Sequence, residues 1–190
     1  MSHWKVLSTK SIFDGTYIKV KSEQVELPDG RVMDQYFVVD FVDWVNVVAI
    51  TEAGQMIMVY QSRHAVREHF LELPGGTTSS DGIEDPKLAG LRELQEETGY
   101  SSDDVEYIGH HYPNPALQSN RMHIYLAKNC IKVSDQNLDP FEELEVRLMA
   151  PEDVYAQCDQ GQIGHSLMMA SLAMCRSRLI EQGIIKHSSV

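Results

Sequence analysis

Apolar and polar residues alternate along the first part of the chain, which is the pattern of strands that bury one face. The alternation runs through residues 17–42, on both sides of Pro28-Asp29-Gly30, a sequence typical of a hairpin turn. Two further strands are predicted at residues 45–50 and 55–63, joined by a turn at Glu52-Ala53-Gly54. The first 45 residues are therefore predicted to form short strands and turns, and a second strand region follows them.

One helix with well-defined ends is predicted in the middle of the chain. The glycines of LELPGG, at residues 71–76, are expected to end the preceding block of regular structure. Asp85 then suits the N-cap, Pro86 the first helical position and Gly99 the position just past the helix end. Gly90 costs about 1 kcal/mol relative to alanine inside a helix, so we expect another backbone segment to approach it closely.

The second half of the chain is predicted to form strands and then helices. The pattern predicts strands at residues 105–112, 122–133 and 143–149, separated by a loop at 113–120 and an acidic loop at 134–143. A short helix after Pro151 and a longer one from about Ser166 to Glu181 follow, the latter with apolar residues at helical spacing. No internal repeat interrupts this order.

Composition narrows the range of functions. Of the 190 residues 43% are hydrophobic, which suits one globular domain, and 28 acidic against 16 basic residues leave a net charge of −12. That charge disfavours nucleic-acid and anionic-membrane partners and favours a small phosphorylated ligand bound through metal. The chain shows no secretory signal pattern and no membrane-spanning stretch, so a cytoplasmic location is expected. Cys130, Cys158 and Cys175 lack C-x-x-C spacing and are predicted to be isolated buried thiols.

Three acids on the predicted central helix are the strongest candidates for chemistry. At about 100° per residue, Glu97 lies about 40° from Glu93, and Glu96 lies about 60° from it on the other side. Three like charges on one arc oppose folding unless a cation binds them, and oxygen-rich sites suit magnesium or manganese. Arg92, one turn from Glu96, is placed to hold a carboxylate through a bidentate pair.

The segment GGTTSSDGIEDPKLAGLRELQEETGY, residues 75–100, resembles the Nudix box. It departs from that box only in having seven residues, instead of five, between Gly76 and Glu84. The resemblance implies an α/β (α+β) fold, an α/β/α sandwich around a mixed sheet with a small N-terminal β-subdomain. We expect the subdomain at residues 1–45, at a dimer interface, and the hydrolase domain at 46–190. The implied cofactor is Mg²⁺, with Mn²⁺ as a possible substitute.

The resemblance to the Nudix box also implies roles for individual residues. Glu93 and Glu97 are implied to bind metal directly, Glu96 to bridge or to ligate through water, and the carbonyl of Gly75 to add a further ligand. Arg92 is implied to support these groups. The expected reaction is attack of a metal-activated water on a pyrophosphate bond.

Features outside the box resemble the branch of the family that hydrolyses ADP-ribose and nucleoside-diphosphate sugars. They are VYQSRHAVREHFLELPGG before the box, Pro115 after it and FEELEVRLMAPEDV further on. This branch implies that Arg63 contacts substrate phosphate and that Glu142 or Glu143 assists the attacking water. Further candidates for contact with substrate are Glu72, Asn120, Arg121 and His123. The resemblance also implies aromatic residues of the N-terminal strands that stack on the base, but Tyr17, Tyr36 and Trp44 are expected in the core or an interface instead.

Two alternatives to a sugar-nucleotide hydrolase are open at this level. The same fold could act on dinucleoside polyphosphates, nucleoside triphosphates or RNA 5′ ends. A Nudix domain could also sense ADP-ribose without catalysis, although every carboxylate of the box is present here. In either case we expect a homodimer, because the β-rich N-terminal segment is too short to bury a core alone.

Overall fold

The N-terminal region forms a small antiparallel sheet of its own. The computed structural model describes residues 3–186, and the sheet consists of β1 (Lys5–Asp14), β2 (Lys19–Glu26) and β3 (Val32–Asp40) in that order. The predicted turn joins β2 to β3, where the amide of Gly30 donates to the carbonyl of Leu27. All residues of β1 are exposed. A small N-terminal β-unit is therefore confirmed as part of the fold.

A larger mixed sheet follows, built from strands in the rest of the described chain. They are β4 (Trp44–Thr51), β5 (Met56–Arg63), β6 (Glu68–Glu72), β7 (Gly75–Thr77), β8 (Tyr100–Ser101), β9 (Asp104–His111), β10 (Met122–Lys132) and β11 (Leu144–Met149). Their order is β11-β5-β4-β10-β8, with β6 beside β5, β7 beside β4 and β9 beside β10. Only the β4–β10 pairing is parallel among the pairings described.

Helices cover both faces of this sheet. These are α1 (Pro86–Thr98) on one face, with α2 (Pro151–Asp159) and α3 (Ser166–Glu181) on the other. Since strand side chains alternate between faces, Val45 and Val47 of β4 pack toward α1, while Val48 and Ile50 pack toward α3. The predicted α/β/α sandwich around a mixed sheet is confirmed.

The ends of α1 are those expected from the sequence. The side chain of Asp85 accepts a hydrogen bond from the amide of Lys87, and Gly99 ends the helix in the left-handed region at φ 76°. The expectation that another backbone segment lies close to Gly90 was wrong, however. A Cβ there would lie 2.9 Å from a methyl of Val45 and 3.1 Å from one of Val47, so side chains of the sheet, and not another backbone, require the glycine.

Two other local expectations need correction. The glycines of LELPGG do not end regular structure, because Gly75–Thr77 pairs with β4 as strand β7. Of the three cysteines, Cys130 and Cys175 are buried thiols as expected, but Cys158 is only half-buried. No helix within residues 3–186 is long and apolar enough to cross a membrane.

Candidate active site

One cavity of about 1030 Å³ lies where β7 and α1 meet the loop before β11 and the start of α3. Aromatic residues of the N-terminal half, including Tyr17, Phe41 and Trp44, form part of its wall. The cavity brings together most of the residues singled out from the sequence, namely Arg63, Glu72, Gly75, Arg92, Glu93, Glu96, Glu97 and Glu142. These side chains come from β5, β6, β7, α1 and the loop before β11.

Close packing between β7 and α1 sets the positions of two of the acids. Glu97 is only 4% exposed, and its Oε2 accepts a hydrogen bond of 2.9 Å from the amide of Gly75. A Cβ at Gly76 would lie 2.5 Å from the carboxyl carbon of Glu93, and a Cβ at Gly75 would lie 2.1 Å from the carbonyl oxygen of Val45. The glycine pair therefore lets the backbone lie directly against the helix carboxylates.

The buried acids of α1 lack full charge compensation. Burial raises the pKa of Glu97 to about 8, because the hydrogen bond from Gly75 only partly offsets desolvation and the nearby charges of Glu93 and Glu142 add to the rise. Burial also raises the pKa of Glu93, against the opposing effect of Arg92. An added cation would remove this excess of negative charge.

Arg92 connects α1 to the segment before it. Its Nη1 donates to Glu93 Oε1 at 2.9 Å and to Glu96 Oε2 at 3.0 Å, while its Nη2 donates to the carbonyl of Thr77 at 3.0 Å. Its Nε donates to Glu84 at 3.2 Å. No three His, Cys, Asp or Glu side chains of residues 3–186 converge as a ready-made metal site; Glu93 and Glu96 are instead joined through this guanidinium.

A second charged cluster, on β5 and β6, lines the same cavity. Glu72 is completely buried, and Arg63 donates to both of its carboxylate oxygens. Gln61 adds a hydrogen bond of 3.1 Å to Oε2, and His165 Nδ1 lies 3.2 Å from Oε1. Although burial alone would raise the pKa of Glu72, His165 and Arg63 outweigh it and lower the pKa below its usual value.

Some of the predicted site residues lie outside the lining of this cavity. Asn120 is buried with neither side-chain polar atom hydrogen-bonded, whereas the side chain of Arg121 is exposed. His123 is buried, with Nε2 3.0 Å from Asp43 Oδ2. Glu143 is exposed and also lies away from the lining. None of these four residues therefore lines the cavity that contains the acids of α1.

Two residues of the cavity were expected elsewhere, and a third was not predicted from the sequence. Tyr17 and Trp44 line the cavity instead of being only core or interface residues. His165, directly before α3, was missed entirely, because a single histidine at a helix start carries no spacing signal. Its contact with Glu72 joins residues 93 positions apart, and only the tertiary structure shows it.

The sequence of this chain matches two protein-family models and several characterised proteins. The NUDIX domain model matches residues 41–172, and the model of the nucleoside diphosphate sugar hydrolase N-terminal domain matches residues 4–39. The chain is 33% identical over 150 residues to the ADP-ribose pyrophosphatase of Bacillus subtilis, covering 78% of this chain and 80% of that protein. It is 34% identical over 128 residues to the methanol dehydrogenase activator of Bacillus methanolicus, covering 67% and 68%.

The fold also has a solved counterpart. A crystal structure described as that of an ADP compounds hydrolase superimposes with a TM-score of 0.80, covering 97% of this chain and 98% of the other. The sequence identity is 20%, so this similarity concerns the fold alone.

Proposed function

This chain belongs to the Nudix family and is a pyrophosphatase of that family, and from this premise we propose that it hydrolyses ADP-ribose or a nucleoside-diphosphate sugar. The products are then a nucleoside monophosphate and a sugar phosphate. The observation that carries the proposal is that the buried acids of α1 and the guanidinium of Arg63 line the same cavity. The likeness to an ADP-ribose pyrophosphatase supports the same substrate class.

Magnesium, with manganese as a substitute, is the cofactor that the residues fit. Glu93, Glu96, Glu97 and the carbonyl oxygen of Gly75 would hold it, and a set of oxygen donors suits these hard cations. The raised pKa values of Glu93 and Glu97 support a cation at this place. When bound, the metal supplies charge neutralisation of the diphosphate and a water of lowered pKa.

Arg92 acts in this proposal as a positioning residue. Its contacts with Glu93 and Glu96 hold these two carboxylates, and its bond to the Thr77 carbonyl ties α1 to the end of β7. A planar guanidinium with several fixed donors suits such a role better than a lysine would. The geometry of the acids is thereby set before the substrate binds.

Glu142 is the residue that we propose as general base toward the attacking water. It lines the cavity, whereas Glu143 does not. The amide of Asp139 donates to Glu142 Oε2 at 3.0 Å. The loop before β11, which carries Glu142, is hydrogen-bonded to α1, since the amide of Asn137 donates to the carbonyl of Glu96 at 2.8 Å. Glu142 is therefore held within reach of the acids of α1.

The remaining cavity wall suits a nucleotide. Arg63 keeps donors available beside its bond to Glu72 and is placed to bind the diphosphate, where arginine recognises phosphate oxygens well. Tyr17, Phe41 and Trp44 offer apolar ring surface for stacking with a base. In this proposal Arg63 recognises the diphosphate and the aromatic residues recognise the base, so the two functions belong to different residues of one cavity.

A substrate panel with Mg²⁺ or Mn²⁺ tests the proposal. We expect kcat/KM for ADP-ribose or a hexose nucleotide to exceed that for ATP and diadenosine tetraphosphate by at least roughly tenfold. If ATP or the tetraphosphate is the better substrate, the proposed substrate class is wrong although the Nudix chemistry stands. Absence of turnover with every diphosphate would favour the sensing alternative.

A further inference from the structure

Glu72 has little capacity left to bind a substrate directly. Both of its oxygens accept hydrogen bonds from Arg63, and Gln61 and His165 contact them as well. An ionised carboxylate can only accept, and Glu72 is completely buried. Any influence of Glu72 on substrate recognition therefore has to pass through one of these partners.

His165 is the partner with a free polar atom. Its ring lines the cavity, and its Nε2 makes no hydrogen bond to a described residue. Its Nδ1 is buried 3.2 Å from Glu72 Oε1, within ion-pair distance but without hydrogen-bond alignment. Because the carboxylate of Glu72 can only accept, it favours a proton on Nδ1.

The position of His165 is set before any ligand binds. Its carbonyl accepts hydrogen bonds of 3.1 Å from the amides of Met168 and Met169, which begin α3. Its ring packs against Phe70 with centroids 6.0 Å apart. A polar group held on a rigid element by a supporting neighbour is the arrangement that recognition sites require.

We propose that His165 is a substrate-binding residue whose Nε2 forms a hydrogen bond with a sugar hydroxyl of the nucleotide. This inference rests on the proposed function for the identity of the ligand. Arg63 already offers donors for the phosphate oxygens, whereas a hydroxyl both donates and accepts and therefore suits Nε2 in either protonation state of the ring. A hydroxyl of the nucleoside ribose and a hydroxyl of the distal sugar share the required chemistry.

Two substitutions separate the roles of the two ring nitrogens. In His165→Asn the amide nitrogen takes the place of Nδ1 but nothing reaches the place of Nε2. In His165→Gln the side-chain amide reaches the place of Nε2 and its oxygen can accept. His165 precedes α3 without a side-chain cap bond, and asparagine is a favoured residue at that position, so the first variant is expected to fold.

The experiment is calorimetric binding of AMP and of ribose 5-phosphate, separately, to the purified full chain. AMP carries the nucleoside ribose and ribose 5-phosphate carries the distal sugar, so the pair identifies the source of the hydroxyl. We expect His165→Asn to weaken binding of one of the two by at least roughly tenfold, at unchanged melting temperature. We expect His165→Gln to bind both within about threefold of the unsubstituted protein.

Three results would overturn the proposal. The first is wild-type binding of both compounds by His165→Asn, and the second is an equal loss of both, which would place the contact on the shared phosphate. The third is an unsubstituted protein that binds neither compound. Failure of the proposed function is a separate outcome, since it would be seen as absent turnover of ADP-ribose while the binding data still decide the role of His165.

Discussion

At the scale of single residues, the burial of Glu97, the most deeply buried acid of α1, has the largest consequences for the site. Its carboxylate has one hydrogen bond, from the amide of Gly75, and no side-chain cation within bonding distance among the described residues. Such a group is costly in the ionised form. Three predictions follow from the chemistry of single carboxylates.

Glu97→Gln is expected to lower kcat by orders of magnitude while the fold stays intact. The substitution removes a proposed metal ligand but keeps the shape of the side chain. Steady-state kinetics of the purified variant with Mg²⁺ measure the effect, and circular dichroism is the control for folding. Turnover at the level of the unsubstituted enzyme would contradict the role of Glu97.

The metal-free protein is expected to lose stability as the pH rises from about 4.5 to about 8. The folded state holds the proton of Glu97 up to a pKa of about 8, whereas the unfolded chain releases it near 4.5. Between these values the folded state binds more protons, so its stability falls with rising pH. Thermal melts in EDTA at pH 5.5 and 8 measure this slope.

Glu97→Gln is the matched control for that pH dependence. Groups whose pKa is lowered, such as Glu72 and Asp40, act at pH values below about 4.5 and are common to both proteins. We expect a smaller fall of melting temperature with pH in the variant. Equal falls in the two proteins would show that Glu97 does not carry a raised pKa.

Glu142 and Glu143 form a natural pair for testing the general base. Glu142→Gln is expected to lower kcat by about 10²-fold or more, because it removes the proposed proton acceptor. Glu143→Gln is expected to leave kcat within about twofold, because that side chain is exposed outside the cavity. Comparison of kcat at saturating ADP-ribose decides between them, and the reverse order would transfer the role to Glu143.

At the scale of elements, the contact between α1 and β4 determines how the acids reach the cavity. Gly90 lets α1 approach Val45 and Val47 of β4 without a clash. Strand β4 begins at Trp44, which lies in the cavity wall. The amide of Gly75, on the neighbouring strand β7, then meets Glu97. Catalytic geometry thus depends on helix-to-sheet distance.

Gly90→Ala is expected to destabilise the protein although alanine is the better helix former. The added Cβ would lie 2.9 Å from a methyl of Val45, and overpacking of this kind costs about 1–3 kcal/mol against a propensity gain of about 1 kcal/mol. Denaturant unfolding measures the difference. The loss in the double variant with Val45→Ala should be smaller than the sum of the two single losses. Additive losses would exclude this contact as the cause.

At the scale of the whole molecule, the N-terminal sheet leaves apolar side chains uncovered in the single chain. Val6, Ile12 and Phe13 of β1 and Phe37 of β3 are each about half exposed. Apolar patches of this kind are typical of surfaces that meet another protein. The predicted partner is a second copy of this chain.

We therefore expect a dimer with twice the 21.5 kDa mass of one chain in light scattering. Ile12→Asp should convert it to a monomer, because a charge cannot be buried in an apolar interface without a partner. Val133→Asp is the matched control, since Val133 is equally exposed but lies outside the N-terminal sheet. A fully active monomer of the unsubstituted chain would end the prediction.

Local sequence patterns were sufficient for the helices and for the acids of α1. Helix caps act within a few residues, so Asp85 and Gly99 set the ends of α1 without help from the rest of the chain. Helical periodicity likewise places Glu93, Glu96 and Glu97 on one arc, and their arrival in one cavity agrees with it. The apolar stretch at residues 45–50 likewise predicted a strand, which is found as β4.

Contacts between distant parts of the chain decided the rest. Glu72 meets Arg63 on a paired strand and His165 from the start of α3, whereas Asn120, Arg121 and His123 lie outside the cavity lining. Burial, strand pairing and the pKa of a carboxylate depend on neighbours that have no fixed separation in sequence. Sequence alone therefore determined which groups the chain offers for chemistry, and the tertiary structure decided which of them meet.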